Sequence, residues 1–424
     1  MVSNKEKYAK NPETDFTRNR KLPMQDVIRQ ILTMTGGSLN RELYDWSKAK
    51  SITLTTSAFV QQRSKISSAA FNDIFNQFNA SYKDSKTYYG YQMLAVDGSD
   101  INCPRNPESE YFLVTDQSPK GYNQIHLNAI YDICNKVYVD VELQPRTKWA
   151  ERNALINMMN RRNFAKKTLI IADRGYESYN MFAHFINTHN VDFLCRVKHG
   201  AGAMFEISKL PMQELDVDIS VGITTSQTNE DKKQGRRFIQ TGSKKGKPNS
   251  RKTVISQWDF PSPYTLKFRV VRILLDNGEY ETLATSLSRE DFSLEQMKEL
   301  YHMRWDIETS FRDLKYAIGL THLHSKKDDL IRQEIYAAMV MYNYCSRISG
   351  SVAISQRQKG KYAYKVNFAM AIHLCKRFCR STKKSFGVLL DNISRYTEPI
   401  RPGRTDKRNL RTKRFDGFIY RVAA

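Results

Sequence analysis

The chain has 424 residues, 40% of them hydrophobic, and its 67 Lys and Arg against 44 Asp and Glu give a formal charge of +23. That length accommodates roughly three domains of ~150 residues with a sizeable core, and the positive excess favours a polyanionic partner, nucleic acid first. Six cysteines without a CxxC pair, no apolar run of ~18 residues and an opening MVSNKEKYAK without a signal-peptide core argue against a disulfide scaffold and a membrane protein, and for a soluble cytoplasmic one.

Residues 1–85 read as a small helical module, from the amphipathic stretches DVIRQILTM, LNRELYDWSKA, SAFVQQRSKI and SAAFNDIFNQF, with Gly36-Gly37 and Ser and Thr clusters between them. SAFVQQRSKI is a candidate recognition helix presenting Gln61, Gln62, Arg63 and Lys65 to DNA, although a helical pairing domain has the same pattern.

From residue 86 to 200 the period changes to that of strands. YQMLAVDGSDI, NQIHLNAIYDI and NKVYVDVELQP are three strands, the last two joined at Cys134-Asn135. A helix (KWAERNALINMMNRR), a strand (TLIIADRG), a helix (YNMFAHFINTH) and a strand (VDFLCRVK) follow. Three antiparallel strands followed by alternating helix and strand predict a mixed α/β sheet of the ribonuclease H-like kind.

Residues 201–290 are strand-rich (VDISVGIT, TVISQWDF, LKFRVVRILL, YETLATSL) and predict a β-rich insertion subdomain. Within them Asp231 to Lys252 carries nine basic residues and one acid, the composition of a mobile phosphate-clamping loop.

The segment 291–325 predicts one long helix from Ser293 to Gly319. Ser293 and Gln296 fit a capping box, with Phe292 and Met297 placed for a hydrophobic staple. Leu300, Ile307, Phe311, Leu314 and Ile318 form a core-facing stripe, and Tyr301, Arg304, Glu308 and Lys315 form a polar stripe beside it. Taken alone, that second stripe is also explained by i, i+4 pairing and by long stems lying over the core edge. Residues 326–424 add the helical stretches IRQEIYAAMVMYNYCSRI and NFAMAIHLCKRF. A tail from Arg401 follows, with eight basic residues against two acids, read as a further DNA contact.

Asp97 ends the apolar run MLAV and Asp173 ends TLIIA, each at the end of a strand of the same sheet. With Glu308 on a helix over that edge they make a cluster of carboxylates that repel unless a cation sits among them, and all-oxygen ligands select a hard ion such as Mg²⁺. Asp100 competes with Asp97 but points to the other face if the strand continues.

The set D-G-S at 97–99, D-R-G-Y at 173–176 and Y-x2-R-x3-E-x6-K from Tyr301 to Lys315 resembles DDE transposases, in particular the insertion sequence four family of bacterial cut-and-paste elements. The resemblance implies that Asp97, Asp173 and Glu308 are the catalytic, metal-binding triad for two Mg²⁺ ions, with Mn²⁺ able to substitute. It implies that Tyr301, Arg304 and Lys315 contact terminal phosphates, with Arg174 beside them. It also makes Trp258 a candidate to stack on a flipped base, a core tryptophan being the alternative, and suggests that Trp305 packs against the catalytic core. The implied partners are double-stranded DNA, as terminal inverted repeats and target, and a second copy of the chain in the DNA complex, in a bacterial, nucleoid-associated setting. A metal-dependent nuclease of the same fold and a non-catalytic DNA-binding derivative remain alternatives.

Overall fold

The computed structural model describes residues 5–18, 21–50, 53–82, 86–200, 202–241, 256–354, 356, 362–381, 385–401 and 418. The basic tail beyond residue 401, apart from residue 418, and residues 242–252 of the basic stretch lie outside them.

One ten-stranded sheet runs through the molecule. Its first strands are β1 (Gln92–Cys103), β2 (Phe112–Thr115), β3 (Ser118–Asp132), β4 (Val137–Pro145), β5 (Thr168–Ala172) and β6 (Val191–Arg196). The order β4-β3-β1-β5-β6, antiparallel across β4, β3 and β1 and parallel across β1, β5 and β6, is the expected ribonuclease H-like arrangement. The strand β2 pairs on the outer side of β3 and had no counterpart in the sequence reading.

The strand-rich stretch supplies β7 (Leu215–Thr224), β8 (Arg237–Phe238), β9 (Tyr264–Leu274) and β10 (Tyr280–Thr285). These strands do not form a sheet of their own. The strand β10 pairs antiparallel with β6, so the insertion prolongs the core sheet in the order β6-β10-β9-β7-β8. Residues 256–259, the described half of the expected TVISQWDF strand apart from Phe260, are not in a strand. The first part of the supposed loop at Asp231 holds a short helix, Asn229–Lys233, and β8.

Period-two alternation splits the side chains of β1 between two cores. Met93 and Ala95 face a core shared with the helices α7 (Leu294–His302), α8 (Trp305–Arg312) and α9 (Asp328–Ser351), while Leu94 and Val96 face one built with α5 (Glu151–Asn160) and α6 (Tyr179–Asn187). A third core joins the N-terminal helices α1 (Met24–Thr33), α2 (Leu39–Lys50), α3 (Thr56–Arg63) and α4 (Ala69–Ala80) through Val27, Trp46, Phe59 and Phe71, and it includes Ala337 of α9.

The capping box at Ser293 forms as read: its hydroxyl accepts from the Gln296 amide, and Gln296 Oε1 accepts from the Ser293 amide at 2.8 Å. The long helix is interrupted, however. Around Met303 and Arg304 the bonding tightens to three-residue steps, and Asp313–Ala317 widens to a π turn. A single 100° period therefore does not carry from Tyr301 to Lys315.

Arg63 faces inward. Its guanidinium, 1% exposed, bonds to Gln333 Oε1, Leu330 O and Glu334 Oε1 on α9. A buried cation needs such partners, and this one ties α3 to α9 instead of meeting DNA. Among the described residues no helix is long and apolar enough to cross a membrane.

Candidate active site

Asp97 and Asp173 stand at one end of the β1 and β5 pair. The register between these strands ends at Ala95↔Ile171, and Asp97 and Asp173 each stand two residues further on. Asp97 Oδ1 accepts from the Gly98 amide at 2.8 Å, and Asp173 Oδ1 accepts from the Gly175 amide at 2.8 Å. Asp173 is thereby the N-cap of the short turn Arg174–Tyr176.

The helix α8 packs on β1, which carries Asp97, and α7 packs on β6 and β9 beside it. Arg304, at the tightened turn between the two helices, reaches both acids: Nη2 is 2.8 Å from Glu308 Oε1 and Nη1 is 3.6 Å from Asp97 Oδ2. Its side chain is 7% exposed. The guanidinium carbon lies 5.7 Å from the centre of the Tyr301 ring and 5.4 Å from that of Trp305. Among the described residues, buried Arg304 Nε meets no hydrogen-bond partner.

Burial raises the Asp97 carboxyl to about 7; the Gly98 amide and Arg304 oppose the rise, and the charges of Asp173 and Glu308 add to it. A carboxylate so placed is short of positive charge. Among the described residues no three His, Cys, Asp or Glu side chains lie close enough to hold a metal ion. The donor set of Asp97, Asp173 and Glu308 nonetheless fits a hard divalent cation, being all oxygen and under mutual repulsion.

The remaining predicted residues separate. Tyr301 is buried, its hydroxyl pushed up to about 12 by burial. Lys315 is half-buried in the π turn, where its carbonyl accepts from Thr321. Arg174 is exposed and lines a cleft with Trp149, Arg152, Lys198 and Arg237. Trp258 packs edge-on with Phe260 and Tyr264 at 5.5 and 5.4 Å between ring centres, against the second core. Trp305 is 46% exposed, because its place at the start of α8 turns it outward; packing against the core is not its role.

Asp100 is on the opposite face from Asp97, as the pleat requires, and bonds to His126 Nδ1 at 2.8 Å. His126 also meets Glu151 Oε1 at 3.0 Å. Burial works against its charge, but hydrogen bonds that Asp100 and Glu151 accept hold the imidazole above its ordinary value. Neither His126 nor Glu151 carried a signal in the sequence, since the two are joined only by folding. His324 bonds to Glu334 and to the Gly37 carbonyl.

Residues 88–344 match the family described as "Transposase DDE domain". The InsL protein of insertion sequence element IS186A of Escherichia coli (strain K12) is 26% identical over 260 residues, which are 59% of this chain and 64% of that protein. The transposase for insertion sequence element IS421 of Escherichia coli shows the same identity and the same coverage. The match thus spans just under two thirds of these relatives. The cryo-EM structure of a piggyBac transposase synaptic complex with hairpin DNA aligns over 90% of this chain and 77% of its own, with a TM-score of 0.42 and 14% identity.

Proposed function

We propose, from the premise that this chain belongs to the transposase DDE domain family, that it is the transposase of a bacterial insertion sequence. It binds the ends of its element, cleaves the DNA there and joins the released 3′ ends to target DNA. The observation that carries the reading is Asp97 on β1 and Asp173 just past the end of its parallel neighbour β5, with Glu308 brought to Asp97 through Arg304.

Asp97, Asp173 and Glu308 would hold divalent cations, two Mg²⁺ with Mn²⁺ as substitute. Bound there, such ions supply charge stabilisation to the attacking and leaving oxygens of a phosphodiester. The protein's own work is orientation. Gly98 and Gly175 amides fix Oδ1 of each aspartate, and Arg304 stands 3.6 Å from the second oxygen of Asp97. Arg304, with its planar fork of donors, is suited to grip a phosphate beside these acids once DNA replaces one of its carboxylate partners. Lys315 and the exposed Arg174 would contact backbone phosphates further along the DNA, and the Tyr301 ring lies 5.7 Å from the Arg304 guanidinium. No protein nucleophile is required.

A charge of +23 supplies attraction to DNA backbones, and supports nucleoid association. Two element ends must be held together for joining, which calls for a second copy of the chain in the DNA complex. The test is incubation of the purified chain with linear duplex carrying the sequences that flank its gene, with Mg²⁺ or with EDTA. Cation-dependent breaks confined to the element boundary are expected. Scattered cuts would favour a nuclease, and binding without cleavage a DNA-binding derivative.

A further inference from the structure

His126, Asp100 and Glu151 form a hydrogen-bonded chain that the proposed chemistry leaves unused. The imidazole is 4% exposed, held at Nδ1 by Asp100 and at Nε2 by Glu151, with the Trp149 ring against it at 4.8 Å between centres. Glu151 opens α5, and its two oxygens face two glycines. A methyl group placed on Gly98 would stand 2.7 Å from Oε1, and one on Gly175 would stand 3.4 Å from Oε2.

Those two glycines are the residues whose amides hold the aspartate pair, Gly98 for Asp97 and Gly175 for Asp173. The next residue of α5, Arg152, donates from Nε to the Gly175 carbonyl at 2.8 Å. Pairing between β1 and β5 stops two residues short of both aspartates. Their spacing is therefore not set by the sheet ladder, and the side chain wedged between the two glycine backbones is Glu151.

We propose that Glu151, clamped by His126, is a positioning residue that sets the separation of the Asp97 and Asp173 carboxylates. The inference rests on the reading of those aspartates as cation ligands. Two repelling carboxylates bind a cation well only if their separation is imposed in advance, and partners one shell out from a ligand commonly change metal affinity by about 10 to 100-fold.

The experiment is titration of the full chain with Mn²⁺ by calorimetry, without DNA, for wild type, His126→Ala, Glu151→Ala and Glu151→Gln, followed by end cleavage across the same Mn²⁺ range. The alanine variants should raise the half-saturating Mn²⁺ about tenfold in both measurements, with the midpoint moving more than the saturated rate. Glu151→Gln, which keeps the volume and an acceptor for His126, should recover most of the loss. Unchanged midpoints with a lower melting temperature or rate would overturn the proposal. Should the wild type bind Mn²⁺ but cleave nothing, the transposase reading fails while the midpoints still judge the positioning role.

If the alanine variants do not fold, Gly98→Ala provides the second arm, since its methyl would crowd His126 Nε2 and stand 2.7 Å from Glu151 Oε1, pressing on both members of the clamp. The midpoint should rise in Gly98→Ala. A folded Gly98→Ala with the wild-type midpoint would overturn the proposal.

Discussion

Asp97→Asn should make the cation-free protein more stable, although it removes a group the chemistry needs. Burial above all raises the Asp97 carboxyl from an ordinary 3.8 to about 7. Between those values the folded state keeps a proton that the unfolded state has released. The stability this group contributes is therefore complete below about pH 4 and is lost as the pH rises through about 7. At about 1.4 kcal/mol per pH unit the span amounts to about 4 kcal/mol. The side chain is 22% exposed and Asn forfeits the long contact with Arg304, so about half of that, about 2 kcal/mol, is the gain expected at pH 8. Asn keeps an oxygen for the Gly98 amide, and Arg304 keeps Glu308. Thermal melting at pH 8 should place the variant above the wild type, with the two curves converging near about pH 4. Excess Mn²⁺ should reverse the order, because a ligand at a hundredfold its Kd adds about 2.7 kcal/mol to the protein that binds it. A variant that melts below the wild type at pH 8 without cation, or a difference that ignores pH, would refute the reasoning.

The Arg63–Glu334 pair, 2.9 Å long with 1% and 8% of its side chains exposed, should make Arg63→Ala cost about 3 to 5 kcal/mol. Urea unfolding would read that loss, and a change under ~1 kcal/mol would contradict a buried tie between α3 and α9. Despite burial, which opposes it, Arg63 and His324 draw the Glu334 carboxyl down from 4.5 to about 2. Its contribution is thus present above about pH 4.5 and lost as the pH falls toward about 2, so Glu334→Gln should flatten acid unfolding across that window. An equally steep acid limb in the variant would count against it. Ser293→Ala removes the capping box of α7 and should lower stability by about 1 kcal/mol, visible as a lower melting temperature. An unchanged melt would show that the helix start is held by its neighbours alone.

Local pattern carried the fold where one element decides its own course. The alternation in QMLAVDGSD gave β1 and its two faces, and from it the exclusion of Asp100, which the structure places on the far face with His126. The capping box at Ser293 gave the start of α7 to the residue. Pattern failed where tertiary contact overrides it. Arg63 reads as a surface cation on an amphipathic helix, and only the Gln333 and Glu334 side chains, some 270 residues on, explain its burial. The interruption at Arg304 and the π turn after Arg312 have no Gly or Pro to announce them. The strands of the 201–290 stretch were legible, but not that they would join β6, because edge pairing is chosen by register and cover and not by the strand's own residues. The site followed the same division. Asp97, Asp173 and Glu308 stood out by strand end and helix stripe, whereas His126 and Glu151 meet across 25 residues of chain with no spacing that marks them.

The central claim, that Asp97, Asp173 and Glu308 form one cation-dependent centre for DNA cleavage and joining, is tested most directly by strand transfer. Duplex ends of the element, already carrying a free 3′ hydroxyl, would be incubated with supercoiled target plasmid, Mg²⁺ and either the wild type or Asp97→Asn, Asp173→Asn or Glu308→Gln. Joined products are expected with the wild type alone, absent with EDTA, while all three variants still bind the ends. Joining that survives in any one of the variants, or that proceeds without a divalent cation, would contradict it.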